Sequence, residues 1–141
     1  DKQIPRAAAI LPAAGAWDAA PTAIFVGGAK QATFHFTYTR GGAAGAFDFA
    51  LNVSDTNPVL RWYQSSLYAA GILAAGADTQ SRIQREFITY QATGAAAEYF
   101  EHGPVELAGA IEWLRLPCRE SGNAGAPGTL RIDVSLEFDE D

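Results

Sequence analysis

An all-β, antiparallel fold is predicted by three features of the sequence. Thr33–Thr39 and Phe47–Val53 alternate apolar and other side chains with the period of two that a strand requires. Phe34, Phe36 and Tyr38 share one face of the first run, and Phe47, Phe49, Leu51 and Val53 one face of the second. Thr33, His35, Thr37, Asp48 and Asn52 fall on the opposite faces. Between the runs, Arg40–Ala46 is a glycine-rich turn, so the two are expected to pair as a β-hairpin. Finally, 14 glycines and 7 prolines punctuate the chain at short intervals, and no βαβ spacing is present. Short strands and many turns follow.

The elements are expected in this order. Residues 1–21, with Pro5, Pro12, Gly15 and Pro21 spaced through alanines, read as an extended N-terminal arm with one short strand around Ala8–Leu11. A helix is disfavoured there because each proline removes a backbone donor and restricts the residue before it. Thr22–Val26 is a short strand stopped by Gly27 and Gly28, and Ser54–Pro58 is a turn of locally bonding side chains. Between Val59 and Ala77 helical and strand patterns compete; a strand at Leu60–Gln64 is preferred. Thr79–Gln91 and Glu98–His102 are further strands, the latter ending before Gly103 and Pro104. Ala110–Arg119, apolar on both faces, reads as one central strand. In Leu130–Phe138, Leu130, Ile132, Val134, Leu136 and Phe138 point inward. About eight short strands in one domain, residues 22–141, predict an antiparallel β-sandwich of jelly-roll-like form.

Length and composition narrow the function. With 141 residues the chain has the size of one domain. Its net charge of −6 repels nucleic acid and anionic membranes. No segment has the run of about 18 apolar residues that a membrane span needs. Cys118 is the single cysteine, so no intramolecular disulfide is possible; in an apolar run it reads as a small buried hydrophobe. The chain starts at Asp1 and contains no methionine, which leaves room for a removed N-terminal segment.

Reactive groups are sparse. An acyl-transfer site needs a nucleophile, a base and an orienting group, and His35 and His102 are the only imidazoles. His35, between Thr33 and Thr37, reads as a sheet-face histidine; His102, at a strand-to-turn junction, reads as a surface or interface residue. No metal-ligand spacing is present, and Asp55 lacks the acidic neighbours of a calcium loop. Glu98, Glu101, Glu106 and Glu112 are candidates for paired carboxylates, but spacing alone selects no pair. Gly41–Gly45 lies between strands and lacks the Lys-Ser/Thr ending of a phosphate loop. No enzyme activity, cofactor or metal is expected. Among the aromatic residues, Trp17, Trp62 and Tyr63 are the candidates for surface contacts, together with Pro5 and Pro12 of the arm.

Four segments carry a family resemblance: Leu-Pro-Ala-Ala-Gly-Ala-Trp at 11–17, Phe-Thr-Tyr-Thr-Arg-Gly-Gly at 36–42, Trp-Tyr-Gln at 62–64, and Arg119–Leu130. Together they resemble small β-sandwich virion proteins of tailed phages and prophages. The resemblance implies a structural role in the virion, such as capsid decoration or cement or a head-tail component. The expected partners are further copies of the chain, as in a trimer, and a capsid or other virion protein. It brings no catalytic residues. From a different class, a carbohydrate-binding module stacking surface aromatics on sugar rings is the alternative.

Overall fold

The computed structural model describes residues 2–19, 21–54, 63–64, 87–107 and 111–138. Among the described residues there are eleven strands: β1 (Lys2–Ile10), β2 (Ile24–Phe25), β3 (Ala29–Thr39), β4 (Ala46–Phe49), β5 (Asn52–Ser54), β6 (Tyr63–Gln64), β7 (Ile88–Gln91), β8 (Glu98–Glu106), β9 (Trp113–Arg115), β10 (Cys118–Glu120) and β11 (Thr129–Phe138). All described pairings are antiparallel. The all-β prediction holds. Eleven strands stand where about eight were foreseen; the runs Phe47–Val53 and Ala110–Arg119 each appear as two.

The largest sheet has the order β1-β11-β3-β8. Its long central strands alternate cleanly: Phe34, Phe36 and Tyr38 of β3, and Leu130, Ile132 and Val134 of β11, are all buried. Tyr38 carries a hydroxyl into this otherwise apolar row, and that hydroxyl reaches a buried partner described below. Phe138 departs from the expected inward row and is 40% exposed, where the strand runs out beside Ala29.

Two smaller ladders, β10-β4-β7 and β2-β9-β5-β6, share one register. Phe49 pairs with Cys118, and three residues further along each strand Asn52 pairs with Arg115. Between them the Ala50 N–H donates to Pro117 O at 3.0 Å. Proline has no N–H to return, so the ladder is interrupted there although the two strands stay side by side. That is why the single strand expected over Ala110–Arg119 appears as β9 and β10.

The expected hairpin does not form. β3 pairs with β11 and β8, whereas β4 pairs with β10 and β7, so the Arg40–Gly45 connection carries the chain from one layer to the other. Phe36 instead packs on Phe47 and Phe49, with ring centroids 5.2 and 4.5 Å apart, and Tyr38 lies 5.1 Å from Phe47. Period-two alternation says which face is buried but does not choose the hydrogen-bonding neighbour. Two aromatic faces can be covered by stacking sheets as well as by pairing edges. Asp48 and Asn52, expected on an outer polar face, are fully buried.

Most of the N-terminal segment is built into the sheet. Lys2–Ile10 pairs along β11 with two register shifts, and Pro5 is buried. Lys2–Ile10 is therefore a strand of the same sheet as β3 and β11, where an arm outside the sandwich was expected. A proline fits because β1 is an edge strand, and the bulges accommodate it. β8 runs on through Gly103 and Pro104 to Glu106, past the expected end at His102. Of the segments expected over Val59–Ala77 and Thr79–Gln91, only Tyr63–Gln64 and Phe87–Gln91 fall within the described residues.

Candidate functional site

Three clusters of polar side chains stand out, one buried and two on outer faces of the sheets. The first closes one end of the sandwich. Glu120, 1% exposed, accepts from the Tyr38 hydroxyl at 2.6 Å and from the Gly128 N–H at 2.9 Å through Oε1. Its Oε2 accepts from the N–H groups of Ala46, Gly122 and Asn123 at 3.0, 3.1 and 3.0 Å. Burial alone would raise this carboxyl, but the Tyr38 hydroxyl and the backbone donors outweigh it and hold the group below its usual range. Tyr38 is pushed far upward, by burial first and then by its bond to Glu120 and the charge there. One carboxylate thus fixes the loops 40–46 and 121–128. Gly122 has to be glycine, since a Cβ there would collide with the backbone of Ala44 and Ala46.

The 3-10 turn Ala13–Gly15 joins the same end: Ala14 N–H donates to Ala124 O at 3.3 Å, and Leu11 N–H to Gly128 O at 2.9 Å. Three of the four segments carrying the family resemblance, 11–17, 36–42 and 119–130, therefore meet around Glu120. Sequence proximity could not indicate this, because the three are far apart in the chain.

The second cluster sits on the outside of β4, β7 and β10. Arg119 donates to Asp48 Oδ2 at 2.7 Å, and the Thr89 hydroxyl donates to Asp48 Oδ1 at 2.6 Å. The guanidinium lies against two rings, 4.5 Å from the Trp17 centroid and 4.6 Å from that of Phe87. Trp17, expected as a free surface aromatic, is half-buried in this cluster and edge-on to Phe87.

The third is the outer face of the β8-β3-β11 region. His35 Nε2 lies 3.1 Å from Ser135 Oγ, and Nδ1 lies 3.4 Å from Glu101 Oε1. The order hydroxyl, imidazole, carboxylate is that of a nucleophilic triad. The rest of such a site is missing here. β11 is paired on both sides, with Ser135 opposite Thr33 and Lys2, so the amides around it are committed to the ladders and form no oxyanion hole. This arrangement is a cross-strand polar array.

The other candidates fall as follows. Pro5 lines a cleft of about 240 Å³ together with Arg6, Asp18, Pro21, Leu116 and Ile132. Its polar groups are turned on one another: Arg6 Nη1 donates to Asp18 Oδ1 at 3.0 Å, and Cys118 N–H donates to Asp18 Oδ2 at 3.0 Å. Pro12 is half-buried and leads into the 3-10 turn. Trp62 lies outside the described residues; Tyr63 is in β6, opposite Val53. His102, expected as a surface or interface residue, is half-buried, stacks on Phe34 and meets Phe49 edge-on at 5.3 Å, and burial holds its imidazole below its usual range. Cys118 is fully buried, as expected, and burial raises its thiol well above the usual value. Glu98 caps the preceding turn, accepting from the Thr93 hydroxyl at 2.6 Å and the Thr93 N–H at 2.8 Å. Among the described residues no three His, Cys, Asp or Glu side chains are placed to hold a metal ion.

Sequence reasoning missed Glu120 and Tyr99, the exposed aromatic beside His35. Tyr99 has a signal, being out of phase with the apolar Phe100. Comparison with known proteins adds no relative: no protein-family model, curated protein or solved structure matches the chain.

Proposed function

We propose that this chain is a structural subunit of a virion, a capsid decoration or stabilising protein acting through protein–protein contacts, and that its sandwich is of the jelly-roll type. The strand order is the observation that supports the jelly-roll form. If β4 with β5 and β9 with β10 are each counted as one strand, and β6 and β7, which pair in line along β5 and β4, as one position in the sheet, eight positions remain. One layer then has the order first, eighth, third, sixth, and the other second, seventh, fourth, fifth. That order supports the reading, since it matches the wiring of two Greek keys in a jelly roll, an architecture common to capsid and lectin domains.

The function itself rests on the resemblance, since a fold hosts many functions. Convergence of three resemblance segments on one end of the sandwich supports it by making them parts of one surface. The proposed partners are further copies of the chain, in a trimer or another closed ring, and a capsid or other virion protein; the proposed location is the virion. Light scattering coupled to size-exclusion chromatography over a hundredfold concentration range tests self-assembly. A trimer or higher closed ring is expected. A strict monomer at every concentration counts against the reading.

A further inference from the structure

The outer face of the large sheet carries a regular grid of side chains. Tyr99, Thr37 and Arg131 form one row across β8, β3 and β11; Glu101, His35 and Asp133 form the next. Thr33 and Ser135 continue it on β3 and β11. Strand spacing and pleat place these rows on a platform roughly 10 Å by 13 Å. Tyr99 is 65% exposed, and its ring stands edge-on to His35 at 6.2 Å, which braces it beside the polar rows. Arg131 grips Asp133 through two bonds of 3.0 and 3.1 Å.

The chemistry of this grid selects among ligands. β3 and β11 are each paired on both sides; an extended peptide could add only at the β8 edge, where it would lie beside the rows and not over them. The carboxylates of Glu101 and Asp133 are matched by the Arg131 guanidinium and by Lys2, opposite Ser135, so the face carries no strong positive field for phosphate, nucleic acid or an acidic chain. The rows hold no apolar groove for a helix. What remains is an exposed aromatic face beside closely spaced donors and acceptors of both kinds. A neutral sugar matches this, having an apolar C–H face for the ring and hydroxyls that both donate and accept.

We propose that this face binds a neutral saccharide, one sugar ring stacking on Tyr99 and its hydroxyls bonding to Glu101 and Thr37, while His35, its Nδ1 buried and its Nε2 held by Ser135, braces the Tyr99 ring. The assignment is independent of the virion reading. It uses none of Trp17, Trp62 and Tyr63, the aromatics that the sequence put forward.

The test is titration of the full chain with cello-, xylo-, malto- and manno-hexaose and hexa-N-acetylglucosamine, by calorimetry and by NMR of the His35 ring. Saturable binding of at least one is expected. Tyr99→Ala should weaken it on the order of tenfold, and Glu101→Ala by a smaller factor. Both side chains are exposed, so melting temperatures should stay at the wild-type value and separate binding from folding. Absence of binding to every oligosaccharide at millimolar concentration overturns the proposal, as does binding that Tyr99→Ala leaves unchanged. If Tyr99→Ala instead lowers the oligomer mass while no sugar binds, the face is a protein contact and the saccharide assignment fails.

Discussion

The Tyr38 hydroxyl donates to Glu120 Oε1 at 2.6 Å in the interior of the sandwich, joining the end of β3 in one layer to β10 in the other. Four backbone N–H groups complete the carboxylate's shell, so a single side chain satisfies donors from two loops, those of Ala46 and Gly128 being buried.

Glu120→Gln replaces one carboxylate oxygen by an NH₂ group that must face N–H or O–H donors. The expected loss of stability is about 3 kcal/mol, because buried donors are left without acceptors. Tyr38→Phe removes one partner and leaves the backbone bonds, and about 1 kcal/mol is expected. Urea denaturation of both variants measures the difference, and equal losses would show that the hydroxyl, and not the loop amides, dominates.

The same pair makes stability fall at both pH extremes. The Glu120 carboxyl is held below its ordinary value of 4.5, so its contribution is present above that pH and is lost as pH falls through the folded-state value. Tyr38 is raised above its ordinary 10.0; its contribution is complete below that pH and declines as the unfolded chain ionises above it. His102 adds an acid-side term of the first kind, since burial lowers it from 6.5. Denaturation midpoints measured across the acid, neutral and alkaline ranges should drop at both ends. Glu120→Gln should flatten the acid limb, and Tyr38→Phe the alkaline one.

Arg119→Ala leaves the Asp48 carboxylate, 1% exposed, with the Thr89 hydroxyl but without its cation. Breaking a buried pair on one side costs about 3 kcal/mol or more. Arg119→Lys keeps the charge but gives up the planar contact with Trp17 and Phe87, and an intermediate loss is expected. Trp17 fluorescence, read in a background where Trp62 and Trp113 are replaced by Phe, reports the contact. Its emission should change in both variants, and unchanged emission would remove Arg119 from contact with the ring.

Truncation of residues 1–21 should destabilise the sandwich. The deletion strips β1 from β11 and removes both partners of the Arg6–Asp18 bridge. It also exposes a long central strand as a new edge, which invites aggregation. Thermal melting and light scattering of the truncated chain check this; a soluble, fully stable product would show that β1 contributes little to the fold.

Much of the fold was legible because alternation is local. β3 and β11 read correctly along most of their length, since burying one face of a strand demands a period of two whatever the partner. β1 did not read as a long strand, because alanines carry little contrast between faces and two bulges break its phase. Asp48 read as an outer residue by the same alternation. It does lie opposite Phe47 and Phe49, but Arg119 with Trp17 and Phe87 covers that side, and nothing near Asp48 in sequence announces them.

By itself the sequence determined that the chain is all-β, which faces of β3 and β11 are buried, and that Cys118 packs as a hydrophobe. Tertiary structure alone decided that β3 and β4 stack instead of pairing, that Glu120 gathers three distant segments, and that Tyr99, His35 and Asp133 share one face. The division has a physical cause. Side-chain periodicity is set by the geometry of a single strand, whereas strand partners and the neighbours of a buried charge depend on contacts between residues far apart in the chain.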